Sequence, residues 1–380
     1  MKTINFLTTH FLPENTAATN RVVTYVKELE KFYKVNIFAL GEKGQKRVDS
    51  MKYSGNSTVY YLNQEDFDQK NFVKRALHEM KHIFKLINLA KTKKCDLTIA
   101  TAPYMFMIPF VAFLIKDKKI LDIRDLVWEY LAQESFFQKS VKSFLRGLMI
   151  SSIKKYNFVI VTNENEKKWL TSHVKVKNVA IIPNGIEREK YEILSSLPLK
   201  EPKKFTVTYV GNIGIAQNLR VLIECARELE DMEFNIIGDG AEYDELKEYC
   251  EKFDIKNVNM IGKKSWREIL DYYENSSVLY AQLDSNFSSA MPSKLYEYAS
   301  TGLPIIYGGV GVAAEFVKRL ENAYSIKPND KEALKEALLK VRDRGFSISE
   351  KNREFIKDNF IREDQVRKIK DIVEETLSSK

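Results

Sequence analysis

The segment P-S-K-L-Y-E-Y, residues 292–298, combines residue types that bind phosphate and ribose. Pro292 and Ser293 are residues that often begin a helix, and a helix start presents free N–H groups and a partial positive charge. Lys294 adds a full positive charge at that end, which suits a phosphate. Glu297 lies three residues further on, near the same face, where its carboxylate can accept hydrogen bonds from two ribose hydroxyls. The alternative is a capped core helix with a surface Lys–Glu pair.

Two glycine-containing turns follow apolar segments with the composition of β-strands. They are Y-V-G-N-I-G-I-A-Q-N-L at residues 209–219 and N-I-I-G-D-G at residues 235–240. Glycine lets the backbone approach a phosphate closely, so both turns are candidates for phosphate contact. Neither turn is the dinucleotide motif G-x-G-x-x-G. The second turn is equally consistent with a tight connection between a strand and a helix.

A charged pair follows another apolar segment in L-D-I-R-D-L-V-W-E-Y, residues 121–130. We expect Arg124 and Asp125 at the carboxyl end of a strand, where ligands of parallel sheets bind. Arg124 is then a candidate catalytic residue that holds phosphate or substrate, and Asp125 is one that orients a hydroxyl. The alternative is a structural salt bridge.

The loop after the first apolar segment, F-L-P-E-N-T-A-A-T-N-R at residues 11–21, is made of polar and small residues. The pattern predicts a helix that begins near Ala17, and small residues there let the backbone approach a sugar or a phosphate. An ordinary strand–helix connection is the alternative. Four polar residues of this loop are candidates for contact with a second substrate, on what we call the acceptor side of the site: Glu14, Asn15, Thr16 and Asn20.

Apolar segments of strand composition alternate with helical patterns along the chain, which predicts parallel sheets covered on both faces. In the first half the predicted strands are Thr3–Leu7, Val35–Ala39, Val59–Leu62, Leu97–Ala100, Ile120–Ile123, Phe158–Val161 and Val179–Ile182. In the second half they are Thr206–Val210, Phe234–Ile237, Val258–Ile261, Val278–Ala281 and Pro304–Tyr307.

Residues 195–204, S-S-L-P-L-K-E-P-K-K, interrupt this periodicity and are the predicted linker. The predicted fold class is α/β, with two Rossmann-like doubly wound domains that face each other across a cleft. The first domain is predicted at 1–195 and the second at 205–355, with a helix at about 356–380 that packs back on the first domain.

The charge is unevenly distributed. The net charge is +8, and residues 1–200 hold 33 Lys and Arg against 20 Asp and Glu, whereas the remainder is net acidic. A basic half suggests an anionic partner such as a membrane surface, nucleic acid or phosphorylated acceptor. Lysines on solvent-exposed helix faces would give the same excess of positive charge without a partner. The three cysteines have no metal-ligand or disulfide spacing, which suits reduced thiols in the cytosol. The longest apolar run, residues 104–115, is too short for a membrane span.

Residues 136–155 predict a helix with aromatic and aliphatic residues on one side and basic residues on another. Such a helix can rest on an anionic membrane, which would make the protein peripheral at the inner face of the membrane. A core-facing helix with solvated lysines is the alternative.

Taken together, these segments resemble the retaining glycosyltransferases of family 4, which have the two-domain GT-B fold. The resemblance covers nearly the whole chain and is strongest over residues 205–310. It is closest to bacterial enzymes that add amino or deoxy sugars in O-antigen or capsule synthesis. The resemblance implies transfer of a sugar from a nucleoside diphosphate, UDP above all and an N-acetylated amino sugar among the candidates, to a glycan or lipid-linked hydroxyl. It also implies that no metal or other cofactor takes part.

The resemblance implies individual roles for site residues. Ala17 and Ala18 match the loop that contacts donor phosphates or sugar, and Gly211 and Asn212 match the turn that faces the diphosphate. Glu297 matches the ribose-binding carboxylate. Gly238 and Lys263 would lie near the base, and the segment that cradles the diphosphate and sugar is Ser289, Ala290, Met291, Pro292, Ser293 and Lys294.

Three departures from the family pattern stand out. The first glutamate of a common pair is Ser289 here, a usual arginine and lysine are Asn212 and Gln217, and a usual histidine is Arg124. Our hypothesis is that Arg124 and Lys294 supply the missing positive charge, since positioned cations stabilise a diphosphate leaving group. We expect front-face attack, in which the leaving phosphate helps to deprotonate the acceptor.

Three other functions remain as alternatives. A non-catalytic nucleotide-sugar-binding subunit explains the missing basic pair. A non-hydrolysing UDP-sugar epimerase shares the architecture but fits the I-R-D and P-S-K-L-Y-E segments less well. A nucleic-acid binder explains only the basic half, and no aromatic-and-basic recognition motif supports it.

Overall fold

The computed structural model describes residues 1–14, 16–43, 51–64, 72–102, 104–129, 131, 135–176 and 178–379. The chain forms two compact units. Unit 1 comprises Met1–Asn184 and Arg362–Lys380, and unit 2 comprises Gly185–Ile361. Unit 1 is therefore built from both ends of the chain, whereas unit 2 is one continuous segment.

Unit 1 contains a largely parallel eight-stranded sheet. Its strands are β1 (Thr3–Leu7), β2 (Lys34–Lys43), β3 (Met51–Ser54), β4 (Ser57–Gln64), β5 (Leu97–Ala102), β6 (Lys118–Ile123), β7 (Phe158–Val161) and β8 (Val179–Ile181). Their order is β3-β4-β2-β1-β5-β6-β7-β8. Among the strands in the described residues, β3 alone runs antiparallel to its neighbour, and the sequence did not predict this edge strand.

Helices cover both faces of this sheet. They are α1 (Ala17–Leu29), α2 (Phe72–Lys91), α3 (Met107–Leu114), α4 (Phe136–Ile153) and α5 (Glu164–Trp169), with a 3₁₀ turn at Val127–Glu129 and a π turn at Leu170–Val174. Side chains of α2, α3 and α4 form the core of one face. On the other face, α1 packs with the chain's last two helices, which contribute Val366, Ile369, Ile372 and Val373.

Unit 2 contains a six-stranded sheet that is parallel throughout. Its strands are β9 (Thr206–Val210), β10 (Glu233–Ile237), β11 (Val258–Gly262), β12 (Val278–Gln282), β13 (Ile305–Gly308) and β14 (Ala323–Ile326). Their order is β11-β10-β9-β12-β13-β14. Strand β14 is a second element that the sequence did not predict.

The remaining helices complete unit 2 and the end of unit 1. They are α6 (Arg188–Ser195), α7 (Arg220–Ala226), α8 (Tyr243–Lys252), α9 (Trp266–Glu274), α10 (Lys294–Thr301), α11 (Gly311–Val317), α12 (Lys331–Arg344), α13 (Glu350–Phe360), α14 (Arg362–Val366) and α15 (Lys368–Ser378). In the described part of the chain, none of the helices combines the length and the apolar character needed to cross a membrane.

The unit boundary differs from the predicted linker at residues 195–204. It falls between Asn184 and Gly185, so the α6 helix belongs to unit 2. The polar and proline-containing segment after α6 is irregular, but Leu197 and Leu199 pack against the unit 2 core. The interruption in periodicity marked a surface segment of one unit and not a boundary between two.

Among the parallel strands, strand order reverses at one point in each sheet. In unit 1, β1 lies between β2 and β5, and in unit 2, β9 lies between β10 and β12. Consecutive connections leave opposite faces of the sheet at such a point, and the carboxyl ends of the two central strands open a crevice where ligands bind. The loops after β1 and β5, and those after β9 and β12, are therefore the first places to look for sites.

Candidate functional site

The crevice of unit 2 is formed by residues 211–219, which follow β9, and residues 283–293, which follow β12. The two loops are joined where the N–H of Asp284 donates to the carbonyl of Ala216 at 2.8 Å. Both loops carry predicted donor residues, and α10 with Lys294 begins directly after the second. The structure thus brings together segments that are about 70 residues apart in sequence.

The two glycine turns of unit 2 lie against each other. Gly211 N–H donates to the carbonyl of Ile237 at 2.9 Å, and Ile213 N–H donates to that of Asp239 at 2.9 Å. Gly238 has φ +150°, and a Cβ there would overlap the carbonyl oxygen of Gly211. Only glycine permits this approach, so Gly238 serves first to place the Gly211 turn.

Lys294 reaches back from the first turn of α10 to the Gly211 turn. Its Nζ lies 4.0 Å from the centroid of the Tyr209 ring. A Cβ on Gly211 would overlap that nitrogen, so the glycine leaves room for the ammonium group. Burial lowers the pKa of Lys294 to about 7, and the nearby charge of Glu297 acts in the opposite direction. A cation without full hydration at a helix start is well placed to bind a phosphate.

The helix α10 begins after Ser293, as predicted, but Ser293 does not cap it with its side chain. Ser293 occupies the position before the helix, but its backbone is already helical at φ −59° and ψ −29°, and its side chain makes no capping hydrogen bond. A serine caps well only from an extended conformation. Its exposed hydroxyl is consequently not used to close the helix, and Pro292 accepts from Leu295 N–H at 3.1 Å in a tight first turn.

The remaining residues of the predicted cradle, Ser289, Ala290 and Met291, are half-buried. Their loop is held by α11, because Val312 N–H donates to the carbonyl of Ser288 at 2.8 Å. Met291 packs on the core of unit 2. This segment is therefore fixed at the crevice, with Met291 serving as a packing residue.

Glu297 lies on the exposed side of α10, and 21% of its side chain is accessible. Its Oε1 is 3.8 Å from Nζ of Lys190 on α6, and that ammonium group also lies 5.5 Å from the centroid of the Trp266 ring. The carboxylate predicted to bind ribose thus has a cationic neighbour from another helix. Sequence reasoning missed Lys190, which lies more than 100 residues away.

The two neutral residues of the Gly211 turn, Asn212 and Gln217, are in contact with each other. Asn212 Nδ2 donates to Oε1 of Gln217 at 2.9 Å. The carbonyl of Asn212 accepts from the hydroxyl of Tyr209, the ring that faces Lys294. The loop therefore closes on itself through neutral amides, and Lys294 supplies the cation at this turn.

Lys263 follows β11 at the same edge of the sheet and is exposed. Gly238 N–H donates to the carbonyl of Gly262 at 3.0 Å, which places the Lys263 backbone beside the Gly238 turn. The predicted donor residues of β9, β10 and β11 thus lie side by side at the carboxyl ends of their strands.

In unit 1, the polar loop after β1 is largely occupied by its own hydrogen bonds. Thr16 caps α1, because its Oγ1 accepts from Thr19 N–H at 3.2 Å, which gives it a structural role that the sequence did not predict. Glu14 pairs with Nδ1 of His10 at 2.8 Å, a partner that the sequence did not reveal. Asn15 lies outside the described residues.

The helix that follows this loop begins at Ala17, as predicted. Ala18 is half-buried in its first turn, and Asn20 is half-buried one residue before the fully buried Arg21. The small residues thus stand at the carboxyl end of β1, where unit 1 has its reversal of strand order. This placement is compatible with close approach of a ligand to the backbone.

Arg124 and Asp125 follow β6, two strands from β1 in the sheet. Arg124 is half-buried, and its Nε is enclosed without a hydrogen-bond partner among the described residues. Burial and the neighbouring charge of Arg21 lower the pKa of Arg124, while Asp122 opposes them. An incompletely paired guanidinium at a strand end can bind a phosphate or a carboxylate, so the catalytic prediction for Arg124 retains its physical basis.

Sequence reasoning missed the buried ion pair beside this strand end. Arg21 on α1 donates to Asp122 at 2.7 Å and to the carbonyl of Ile182 at 2.8 Å, and Tyr25 donates to Asp122 at 3.1 Å. Burial alone would lower the pKa of Arg21, but Asp122, Tyr25 and Glu166 together outweigh burial and the pKa is raised. The position of Arg21 within an amphipathic helix gave no signal for this role.

Glu166 on α5 is a second buried charge that the sequence did not reveal. Its Oε2 accepts from the N–H and hydroxyl of Thr162 at 2.7 and 3.0 Å, while Oε1 is buried without a partner in the described structure. Burial raises the pKa of Glu166 to about 8, and Asp125 contributes in the same direction. Unit 1 thus carries the Arg124 guanidinium after β6 and, on α5, a buried carboxyl group whose pKa is about 8.

No group of three or more His, Cys, Asp or Glu side chains is placed to hold a metal ion in the part of the chain that the structure describes. The side chains placed for chemistry are Lys294 in unit 2 and Arg124, Asp125 and Glu166 in unit 1.

Comparison with known proteins relates this geometry to a family. The family model described as glycosyl transferases group 1 matches residues 190–361, within unit 2. The UDP-Gal:alpha-D-GlcNAc-diphosphoundecaprenol alpha-1,3-galactosyltransferase of Escherichia coli is 28% identical over 258 residues, which are 63% of this chain and 66% of that protein. The aligned part spans slightly less than two thirds of that relative. Residues 190–361 thus match the model of a glycosyltransferase domain, and both comparisons support the predicted enzyme class.

Solved structures resemble the chain over its full length. Sucrose-phosphate synthase from Thermosynechococcus elongatus matches with a TM-score of 0.77 and 16% identity, covering 100% of both chains. Anabaena HepE in complex with UDP matches with a TM-score of 0.68 and 14% identity, covering 99% of this chain and 100% of that chain. The fold class is GT-B with two parallel-sheet α/β domains, as the sequence predicted.

Proposed function

We propose that the chain is a retaining glycosyltransferase that moves a sugar from a UDP-sugar to a hydroxyl of a lipid-linked glycan in surface polysaccharide synthesis. The unit 2 crevice is the proposed donor site, and unit 1 provides the acceptor side. The UDP complex of HepE and the lipid diphosphate-linked acceptor named for the E. coli relative support these substrate classes.

The observation that carries the proposal is the position of the Lys294 ammonium group. It lies at the Gly211 turn, at the start of α10 and over the Tyr209 ring. A diphosphate at this turn would receive one full positive charge and the partial charge of the helix start, and it would need no bound metal to offset its own charge. Neutral Asn212 and Gln217 line the same turn and leave the charge with Lys294.

In the proposed step, the acceptor oxygen forms a bond to the anomeric carbon on the face from which the diphosphate departs. The bond between that carbon and the phosphate oxygen breaks, its electron pair stays on the diphosphate, and the diphosphate takes the acceptor proton. Lys294 stabilises the leaving charge. Arg124 binds an anionic group of the substrates, and Asp125 orients a hydroxyl.

Membrane contact through α4 forms part of the proposal. Phe136, Phe137 and Phe144 are 85%, 75% and 70% exposed, whereas Leu145 and Met149 are buried. The apolar residues of the helix therefore divide into a core face and an exposed aromatic set, which Lys139 accompanies. Exposed aromatic residues beside basic ones suit the interface of an anionic bilayer, where a lipid-linked acceptor resides.

The donor site is tested by calorimetric titration with UDP, GDP, CDP and dTDP, each with and without EDTA. We expect UDP to bind in both conditions, and absence of binding by all four would contradict the proposal. The product formed from an α-linked UDP-sugar is then examined by NMR. An α-linked product supports retention, a β-linked product contradicts it, and binding without turnover favours a partner subunit.

The membrane proposal has a separate test. We expect the chain to float with vesicles that contain phosphatidylglycerol, and the double variant Phe136→Ser/Phe137→Ser to remain with the unbound protein. Phe253→Ser in unit 2 is the matched control, since Phe253 is also exposed at 43%. Equal flotation of all three proteins would reject a role for α4.

A further inference from the structure

Gln282 is a buried polar residue at the carboxyl end of β12. Its side chain is 3% exposed, and it follows four apolar residues of the strand. A buried amide must find hydrogen-bond partners, because an unpaired one costs free energy. Its partners therefore show what this position does.

The amide of Gln282 joins three parts of unit 2. Its Nε2 donates to the carbonyls of Gln217 at 2.9 Å and Asn218 at 3.1 Å, and to Oδ1 of Asn329 at 3.0 Å. Its Oε1 accepts from the hydroxyl of Tyr280 at 3.0 Å and from Asn329 N–H at 3.0 Å. Backbone donors and acceptors on each side fix the orientation of the amide.

Two residues with unusual backbone conformations lie at these contacts. Asn218 and Asn329 have φ angles of +37° and +63°. Their side chains are hydrogen-bonded to each other at 2.8 Å. Residues other than glycine rarely adopt positive φ, so surrounding contacts must hold them there. Gln282 bonds to the backbone of both and supplies such contacts.

Gly308 on the neighbouring strand keeps this position open. A Cβ on Gly308 would lie 2.6 Å from Oε1 of Gln282. The two residues are directly paired in the sheet, so the glycine leaves the space that the amide fills. The space beside Gly308 therefore fits the size and polarity of the Gln282 side chain.

We propose that Gln282 is a positioning residue that holds the 212–218 loop in the shape that binds the donor diphosphate. It acts through Gln217, whose backbone it bonds and whose side chain bonds Asn212 in the Gly211 turn. The inference rests on the proposed donor site, but it concerns a residue that is buried behind the loop.

The test measures UDP affinity by calorimetry in Gln282→Leu and Gln282→Glu. Leucine removes every hydrogen bond, and the isosteric carboxylate faces the carbonyls of Gln217 and Asn218 with no N–H to offer. We expect UDP to bind about tenfold more weakly in each variant, since unpaired buried carbonyls no longer hold the loop. We expect the KM for the donor to rise more than kcat falls.

The matched control is Thr208→Val, which removes another buried hydrogen bond of the same sheet, the 2.6 Å contact with Ser276. It should lower the melting temperature without changing UDP affinity. Asn329→Gly provides a second variant in an exposed position where glycine suits the backbone, and it should weaken UDP binding several-fold. Unchanged affinity in Gln282→Leu and Asn329→Gly would overturn the inference. Failure of the unaltered chain to bind UDP would instead refute the donor site and this inference with it.

Discussion

The ammonium nitrogen of Lys294 lies 4.0 Å from the centroid of the Tyr209 ring, in space that the missing side chain of Gly211 leaves open. The ring face attracts a cation and replaces part of its lost hydration. Burial nevertheless lowers the pKa of this lysine to about 7. The site therefore holds a poorly hydrated ammonium group that a bound anion would stabilise.

Removal of that cation should weaken donor binding. In Lys294→Met we expect UDP to bind about 10- to 100-fold more weakly, because a hydrogen bond to a charged group contributes roughly 1.5–3 kcal/mol. Calorimetry at pH 6.5 measures the change. Lys256→Met is the control, since Lys256 is exposed and forms an exposed ion pair with Asp254. Equal affinity and turnover in Lys294→Met would contradict the role of Lys294.

Donor affinity should depend on pH through the same residue. The protonated form binds the diphosphate, and its pKa in the free protein is about 7. The dissociation constant of UDP should thus increase from pH 7 to pH 9, by at most about tenfold per pH unit. Titrations at five pH values test this, with Lys294→Met expected to show no such rise. A flat profile in the unaltered chain would argue against a lysine of lowered pKa.

The stability of the free protein should rise over the same pH range in which its affinity for UDP falls. An unfolded lysine keeps its proton up to about pH 10.5, whereas folded Lys294 loses it near pH 7. The unfolded state therefore binds more protons between these values, and this residue makes the fold more stable as pH rises. Melting temperatures of the unaltered chain minus those of Lys294→Met should increase from pH 7 to pH 9. A constant difference would contradict the prediction.

Two glycine substitutions should have opposite effects on stability. Gly238→Ala places a Cβ on the carbonyl of Gly211 at φ +150°, which should destabilise the fold by about 2 kcal/mol or more. Gly147→Ala in α4 meets open space and should stabilise it by about 0.5–1 kcal/mol. Thermal unfolding of the two variants distinguishes them. Similar melting temperatures would show that the Gly238 turn relaxes.

Loss of Asp122 should destabilise unit 1 strongly. Asp122→Asn leaves the buried guanidinium of Arg21 without its counter-charge, and we expect a cost of about 3–5 kcal/mol. Glu315→Gln breaks an exposed pair with Lys318 and should change stability by less than about 0.5 kcal/mol. Chemical denaturation of both variants measures these changes in the free energy of unfolding. A small effect of Asp122→Asn would mean that water reaches Arg21.

Much of the donor crevice could be predicted from sequence, because its residues lie in short segments whose local patterns carry information. Gly211, Lys294 and Glu297 each stand at the end of an apolar strand or the start of a helix. Lys190 and Gln282 could not be predicted in this way. Each acts through partners that only the folded chain brings near, and a lone lysine or glutamine has many ordinary roles.

The fold was predictable where strands are continuous and apolar, as in β1 and β9. It was not predictable at the edges. The β3 strand is short and mostly exposed, and β14 is half-buried throughout, so neither shows a clear apolar pattern. The boundary between the units was misplaced because composition marks irregular segments, whereas packing decides to which unit they belong.

The contribution of the last helices to unit 1 has a consequence for synthesis on the ribosome. Val366, Ile369 and Val373 complete the apolar face that α1 and the sheet begin. When residues 1–184 have emerged, that face still lacks its cover, whereas unit 2 is contiguous and can close as soon as its own residues are made. The half of the protein that is translated first is therefore the half that finishes folding last.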